Sequence, residues 1–541
     1  MQAVSFRRVF ALCAAVLSLA ALPASAAATS TPEEIDTAIG NAVEYVRGQQ
    51  DPATGEPFGF EHGSFSSDWV ATSLAAAGVS AADVHAIAPG SPSLQDFLLG
   101  DYTGFFNGPP TKAVTEYERA TLVSHASGLD PARLSSELNL PAQIAGGWNP
   151  AAGSFGAPSV NSTAFGILAL KTAPVPAWAL APAVAYLRQR QHDDGGWTFS
   201  ADTSPAAMAE PSEPDMTGAA IAALCEAGAP AYDPSVAPAL AYLKGLLVNA
   251  TGAFHYAFGD NTDTTAWAVN GLSACGIDPQ SAAWTTSAGK TPIDHLLSLQ
   301  VPSGTEAGGF GFENTSEANP YSTQDALRAL AGGVFTAEPP VRSDPSQPRF
   351  SPPPAVAAGT PVPHLLAIEL APGNVRMCKV TAPAGALLPA VLDAAKATAV
   401  PAGCISSFAL SGGQVASVDG VAPAGQDEAW LLRLDRGSEA VAGEQPVGFG
   451  ETISLRLGTA PSSLKGPAGA TGSTGSSGTS GPAGSQGSPG KRGETGRPGR
   501  NARIACRVRR QRSGKRRIHC SVRDHRRRPN RSNTLPGPMN P

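Results

Sequence analysis

The sequence predicts a multidomain chain: an all-α α6/α6 toroid, then a small, β-rich α+β domain, a glycine-periodic stretch and a basic tail. Three observations carry this reading. The apolar motif Thr265-Ala-Trp-Ala-Val-Asn-Gly-Leu-Ser-Ala-Cys-Gly276 has relatives at 67–78, 117–128, 163–174, 217–228 and 323–334. After a proline-rich segment the hydrophobic period changes from that of helices to that of strands. From Gly466 to Gly499 a glycine stands at every third position.

The motif copies start 46 to 58 residues apart, a period that belongs to arrays of helical units. Each copy opens on a hydroxyl residue, expected to accept a bond from a free helix N–H, and four of the six close on Gly. Rich in Ala, Leu and other small residues, such helices are packed on nearly all sides. Amphipathic segments at 32–49, 91–99, 131–138, 177–191, 234–248 and 291–300 alternate with them, as in Val184-Ala-Tyr-Leu-Arg-Gln-Arg-Gln-His192. Six pairs result. The small-residue helices form an inner ring and the amphipathic ones an outer ring, and closing the circle buries apolar surface that no pair hides alone.

Glycine turns lead into the inner helices at Gln143-Ile-Ala-Gly-Gly-Trp148, Gln191-His-Asp-Asp-Gly-Gly-Trp197 and, stretched by insertion, at 300–312. Glycine permits positive φ there, and the aromatic fills the gap before the next helix. On these motifs residues 31–336 resemble the superfamily of squalene cyclases, protein prenyltransferase β chains and cobalamin carriers. The resemblance implies a fold and leaves activity open.

Arg7-Arg8, an apolar run over 9–22 and Ala24-Ser-Ala26 form a secretory signal, with cleavage expected after Ala26. The mature product is then secreted or held at the cell surface. Apart from Cys13, the cysteines fall into three sequential pairs, Cys225–Cys275, Cys378–Cys404 and Cys506–Cys520, and an even count in an exported chain favours disulfides. In the first pair the two residues stand at different heights on successive inner helices, so buried thiols are the alternative. The net charge of −6 hides a split: residues 491–541 hold 17 of the 38 Lys and Arg and two acids, leaving 21 basic against 42 acidic residues elsewhere. Such asymmetry points to an anionic partner for the tail.

The toroid domain spans 27–337 and is followed by a proline-rich linker, 338–363, which cannot join a helix or central strand. Residues 364–460 read as a small α+β domain: strands at 364–370, 374–381, 414–418, 429–434 and 452–457, with a helix at 387–397. Three stretches in it, Gly385-Ala-Leu-Leu-Pro-Ala-Val-Leu-Asp-Ala-Ala395, Val415-Ala-Ser-Val-Asp-Gly-Val-Ala422 and Trp430 with Gly450-Glu-Thr-Ile-Ser-Leu-Arg456, resemble the C-terminal domain of the transcobalamin and intrinsic factor family. That resemblance implies a corrinoid held between two domains, with Trp430 on the smaller one.

Residues 461–501 form the collagen-like stretch. Only Gly fits the axis of three wound chains, so the strict period implies a homotrimeric stalk of ~110 Å, with a flexible Gly/Ser-rich spacer as the alternative. In the basic tail, 502–541, Ile504, Cys506 and Val508 mirror Val522, Cys520 and Ile518 about Ser513. This is the register of an antiparallel hairpin whose cysteines can bridge across the strands.

Squalene cyclases protonate their substrate from an Asp-x-Asp-Asp-Thr-Ala motif; here Asn261-Thr-Asp-Thr-Thr-Ala266 keeps only Asp263, a second α-barrel is absent and aromatics are few. The zinc ligand set of prenyltransferases is missing, and His192 and His255 lie in turns as solvated residues, so no metal site is assigned. What remains is a polar rim at the inner-helix starts: Asn161, Asp215, Asp263 and Tyr321, with Thr217, Thr265 and Gln324. Each alone reads as a helix cap. Together they frame a ligand mouth, as similar positions do in the cobalamin carriers that the chain resembles.

The expectation is therefore a secreted or surface-associated binding protein that requires no cofactor. Its ligand is a small hydrophobic molecule or corrinoid such as cobalamin, and its tail meets an anionic envelope polymer rather than nucleic acid, given export. The alternatives are a structural or adhesive head on a stalk, and a cyclase acting through Asp263.

Overall fold

The computed structural model describes residues 30–59, 62, 67–88, 90–108, 112–398 and 404–460, and the backbone of 503–510 and 516–523. The signal segment, the collagen-like stretch and the chain beyond 523 lie outside the described residues. Two compact units are distinguished, residues 1–467 and 468–541.

Among the described residues thirteen α-helices precede the sheet: α1 (Pro32–Gln49), α2 (Val70–Ala76, entered through a 3-10 turn at Ser67–Trp69), α3 (Leu94–Asn107), α4 (Val114–Ala126), α5 (Leu140–Gly146), α6 (Val160–Thr172), α7 (Ala177–Arg188), the single turn α8 (Pro205–Met208), α9 (Pro214–Glu226), α10 (Val236–Gly245), α11 (Thr262–Ala274), α12 (Pro292–Ser298) and α13 (Pro320–Leu330). The six motif copies are α2, α4, α6, α9, α11 and α13. Each touches the next and α13 returns to α2, so the ring closes. Their small residues let backbones meet: a Cβ on Gly271 would lie 2.8 Å from the Gly218 carbonyl oxygen, across the α9–α11 contact.

Two local expectations are corrected. Five of the six inner helices, all but α2, begin three residues earlier than the motif, and in three of them Ser159, Asn261 and Asn319 are the caps, accepting from the N–H of Ser162, Thr264 and Tyr321 at 3.0, 2.9 and 2.8 Å. The hydroxyl residues are thus freed from capping. The third outer helix lies at 140–146 rather than 131–138, since Asn139 caps Ala142 N–H at 2.9 Å and Pro141 fits the first turn.

A two-residue ribbon, β1 (Trp148–Asn149) with β2 (Ser154–Phe155), closes one glycine turn. The smaller module contains β3 (Pro361–Ala371), β4 (Asn374–Pro383), α14 (Leu388–Ala397), β5 (Phe408–Ser411), β6 (Gln414–Val418), β7 (Glu428–Leu434), β8 (Ala440–Val441) and β9 (Thr452–Thr459). The sheet order is β4-β3-β9-β7-β8, with β3 and β9 parallel and the other neighbours antiparallel, and β5–β6 forms a separate hairpin. Alternation along β3 explains its continuous apolar run. Leu366 and Ile368 join the module's own core with Val391 and Leu392 of α14, whereas Leu365 and Ala367 join the toroid core. Sheet and toroid therefore share buried surface along α5 and α7, which pack against β3 and β4.

The proline-rich linker is laid onto the ring rather than holding two separate bodies apart. Ser351 N–H donates to the Gly128 carbonyl at 2.7 Å and Arg342 to Gln95 Oε1 at 3.1 Å. Disulfides join Cys225 to Cys275, at the ends of α9 and α11, and Cys378 to Cys404. The height difference expected for the first pair is absorbed because Cys275 stands just past its helix, leaving the Cα atoms 5.1 Å apart. Among the described residues no helix is long and apolar enough to cross a membrane.

In the second unit β10 (Arg503–Arg510) pairs antiparallel with β11 (Arg516–Arg523). The register sets Ile504 opposite Val522, Cys506 opposite Cys520 and Val508 opposite Ile518.

Candidate functional site

The two modules meet along a seam of directed bonds. Trp148 Nε1 donates to Val375 O at 3.0 Å, Asn139 Nδ2 to Pro363 O at 3.1 Å and Arg133 Nε to Phe449 O at 2.7 Å. Beside this seam the structure leaves a cleft of about 710 Å³, walled by Val114, Tyr117, Gln143 and the glycine turn on the toroid, and by Lys379, Thr381 and the end of α14 on the sheet. Lys379 Nζ donates to Gln143 Oε1 at 3.1 Å, and burial lowers its pKa. Lys112 stands at the other wall, its Nζ 4.2 Å from the centre of the Phe105 ring and its backbone N–H 3.3 Å from the Tyr117 hydroxyl oxygen. Two ammonium groups, an amide and a phenol thus border apolar walls made by Val114, Ala394 and Ala397.

The polar rim is a separate feature. Asn161, Asp215, Asp263 and Tyr321 each occupy the second position of their helix, α6, α9, α11 and α13, so the repeat places them at one level. Burial, aided by Asp325, pushes Asp263 up to about 7, against the pull of the Ser322 hydroxyl. Asp215 is raised to about 6, again by burial first, while Thr264 draws it down. Oδ1 of each is buried with no hydrogen-bond partner. A carboxyl in that position is best kept protonated.

Thr217 and Thr265 are already used. Thr217 Oγ1 accepts the backbone N–H of Trp197 at 3.0 Å, Thr265 Oγ1 that of Phe254 at 3.3 Å, and Thr323 Oγ1 that of Phe310 at 2.9 Å. These threonines latch each turn aromatic to its following helix. Gln324 is buried on α13, and Trp430 is fully buried in the core of the sheet with Nε1 3.4 Å from Val421 O. Neither these residues nor the rim residues line the cleft of 710 Å³. Of the turn histidines, His192 is buried, contrary to expectation, with Nδ1 3.0 Å from Glu210 O and Nε2 3.3 Å from Thr198 Oγ1; His255 is exposed and pairs with Asp260 at 2.7 Å.

Sequence reasoning passed over what fills the ring's interior. Trp69, Phe165, Trp267 and Phe335 form one cluster with centroids 5.1 to 5.8 Å apart. The aromatics are few, but the closed ring concentrates them. Fully buried Arg328 lies 4.2 Å from the centre of Phe335, and its guanidinium bonds Asp325 Oδ1 at 2.6 Å and Thr72 Oγ1 at 3.2 Å. Trp267 Nε1 donates to the other oxygen of Asp325 at 2.9 Å. Burial pushes Asp325 up and Arg328 down, and their mutual attraction opposes both. Since a guanidinium stays protonated, the pair is ionic. The signal available was an acid and a base three residues apart on one inner helix.

No protein-family model and no curated protein matches the sequence. Among solved structures the chain is similar to haptocorrin in complex with Cbi, at 12% identity over 80% of this chain and 100% of that one, with a TM-score of 0.31. It is also similar to the type II terpene cyclase MstE from Scytonema, at 15% identity over 55% of this chain and 98% of that one, TM-score 0.38. Protein geranylgeranyltransferase-I from Candida albicans, complexed with GGPP, aligns at 13% identity over 49% and 83%, TM-score 0.34.

Proposed function

We propose that this chain is a secreted or surface-associated protein that binds a small molecule non-covalently between its toroid and its α+β module. One observation supports this above others: the modules share a core along α5 and α7 yet leave beside it a cleft of about 710 Å³ bordered by Lys112, Tyr117, Gln143 and Lys379. Apolar walls with a few convergent polar groups are what a small-molecule site requires. A corrinoid is the specific ligand proposed, because its peripheral amides would accept from the ammonium groups of Lys112 and Lys379. It is larger than a drug-sized ligand, so part of it would remain outside the cleft.

The packed interior favours a second reading, a structural or adhesive head carried on the collagen-like segment. An enzyme of the cyclase kind is disfavoured by the same interior, where the aromatic cluster already holds a cation, Arg328. The trimeric stalk, the Cys506–Cys520 bridge and attachment of the tail to an anionic envelope polymer remain part of the proposal.

Incubating the full chain with cobalamin and following co-eluting visible absorbance tests the binding reading. Retention that is lost in Ala394→Trp, which fills the cleft, and reduced in Lys379→Ala supports it. Absence of retention at micromolar protein removes the corrinoid, and retention unchanged by both substitutions removes the cleft.

A further inference from the structure

A second cleft, of about 630 Å³, opens on the same seam where α6 and α9 end beneath β7. It shares no lining residue with the first. Its charged groups are Lys171 and Arg188 from the toroid and Arg433 and Arg436 from the sheet, against one carboxylate, Asp233. Asp233 is spent on Arg188, at 2.8 Å. The other three cations bond only backbone carbonyls: Arg436 to Thr172 O at 3.1 Å and Lys171 to Glu226 O, each the last residue of its helix, and Arg433 to Pro174 O at 2.6 Å, just past the end of α6.

Carbonyls at helix C-termini draw cations in, since the dipole is negative there, but each carries only a fraction of a charge. Three positive charges are therefore oriented and incompletely neutralised. The sheet acids nearby are engaged elsewhere: Glu439, which feels the charge of Arg433, is held bidentately by Arg456 at 2.7 and 2.8 Å, and Asp435 is paired with Arg133. Arg433 Nε is moreover buried with no hydrogen-bond partner. That N–H does not itself reach the cleft, but Arg433 lines it, and its guanidinium offers an oxyanion a charge-assisted bond. The remaining wall, Val175, Leu180, Val184 and Leu224, is apolar.

We propose that this cleft is an anion site for a small organic phosphate: a dianionic head on Arg433, Arg436 and Lys171, and a non-polar body on the aliphatic wall. A phosphate monoester suits the excess of positive charge better than a carboxylate does. The alternative, that these cations serve only to join the modules, predicts instability on their removal but no anion binding.

The test uses the full chain and phenyl phosphate, with benzoate and inorganic phosphate as comparisons, by calorimetry at low salt. Phenyl phosphate is expected to bind more tightly than either. Arg433→Gln should weaken it by about tenfold or more, as loss of a charge-assisted bond does. Because Arg433 also joins the modules, Ala181, an exposed residue of the wall on α7, provides a variant that leaves the seam untouched. Ala181→Glu should weaken binding and Ala181→Lys strengthen it. No binding to the native chain, equal binding of benzoate, or indifference to the charge at 181 would overturn the proposal. Cobalamin retention in Ala181→Glu should be unchanged, which separates this site from the first cleft.

Discussion

The backbone N–H of Trp197 donates to Thr217 Oγ1 at 3.0 Å, tying a glycine turn to the fourth residue of the helix that follows it. The same bond recurs between Phe254 and Thr265 and between Phe310 and Thr323. All three threonines are fully buried, so removing the hydroxyl leaves an amide with neither protein nor water to meet it. Thr217→Val and Thr323→Val should each cost about 1–3 kcal/mol, measured by urea unfolding, whereas Thr→Ser, which keeps the acceptor, should cost less.

Asp263, raised to about 7, and Asp215, raised to about 6, hold their protons to higher pH in the fold than in the unfolded chain, where the value is 3.8. Between about pH 4 and 7 the folded state then binds more protons, and stability falls as pH rises through that window. The melting temperature should drop from pH 5 to pH 8. Asp263→Asn should flatten that slope and raise the melting temperature at pH 8, and the chain already places Asn161 at the equivalent point of α6.

The Cys225–Cys275 bridge closes a loop with a sequence separation of 50. In the chain-entropy account such a closure stabilises by about 4 kcal/mol. Cys225→Ser with Cys275→Ser should lower the denaturant midpoint strongly under oxidising conditions and leave the protein insensitive to reductant at that site. A bridged native chain whose midpoint is unchanged by this double substitution would contradict the role given to it.

Gly218 and Gly271 set the spacing of α9 and α11. A methyl group on Gly218 would overlap the Trp267 carbonyl, so α11 must move and the cluster around Trp267 with it. Gly218→Ala should destabilise by about 1–3 kcal/mol and alter the near-ultraviolet signal of Trp267. Substitution at Gly276, whose Cβ would meet nothing within 4 Å but whose φ is +68°, should act through backbone strain and leave that signal in place.

Helices and strands were legible because their causes are local. Ala, Gly and Leu at helical spacing mark α11, and alternation marks β4 and β9. Caps were misread at the inner helices because Asn261 and Thr265 are both plausible acceptors, and only the position of Phe254 shows which N–H the threonine receives. The rim was legible as a level, since Asp215, Asp263 and Tyr321 recur at one place in the repeat. Lys379 and Gln143 were not, because nothing in a strand or an outer helix reports which of its polar residues will face a cleft.

By itself the sequence determined the number of helix pairs, the α+β pattern after the prolines and the hairpin register about Ser513, since periodicity and side-chain alternation act between near neighbours. Tertiary structure alone decided that Leu365 and Ala367 of β3 would lie on α5 and α7, and that residues from four repeats would gather around Arg328. An apolar face is equally apolar under any cover, and a period says which side of a helix turns inward but not what it meets there.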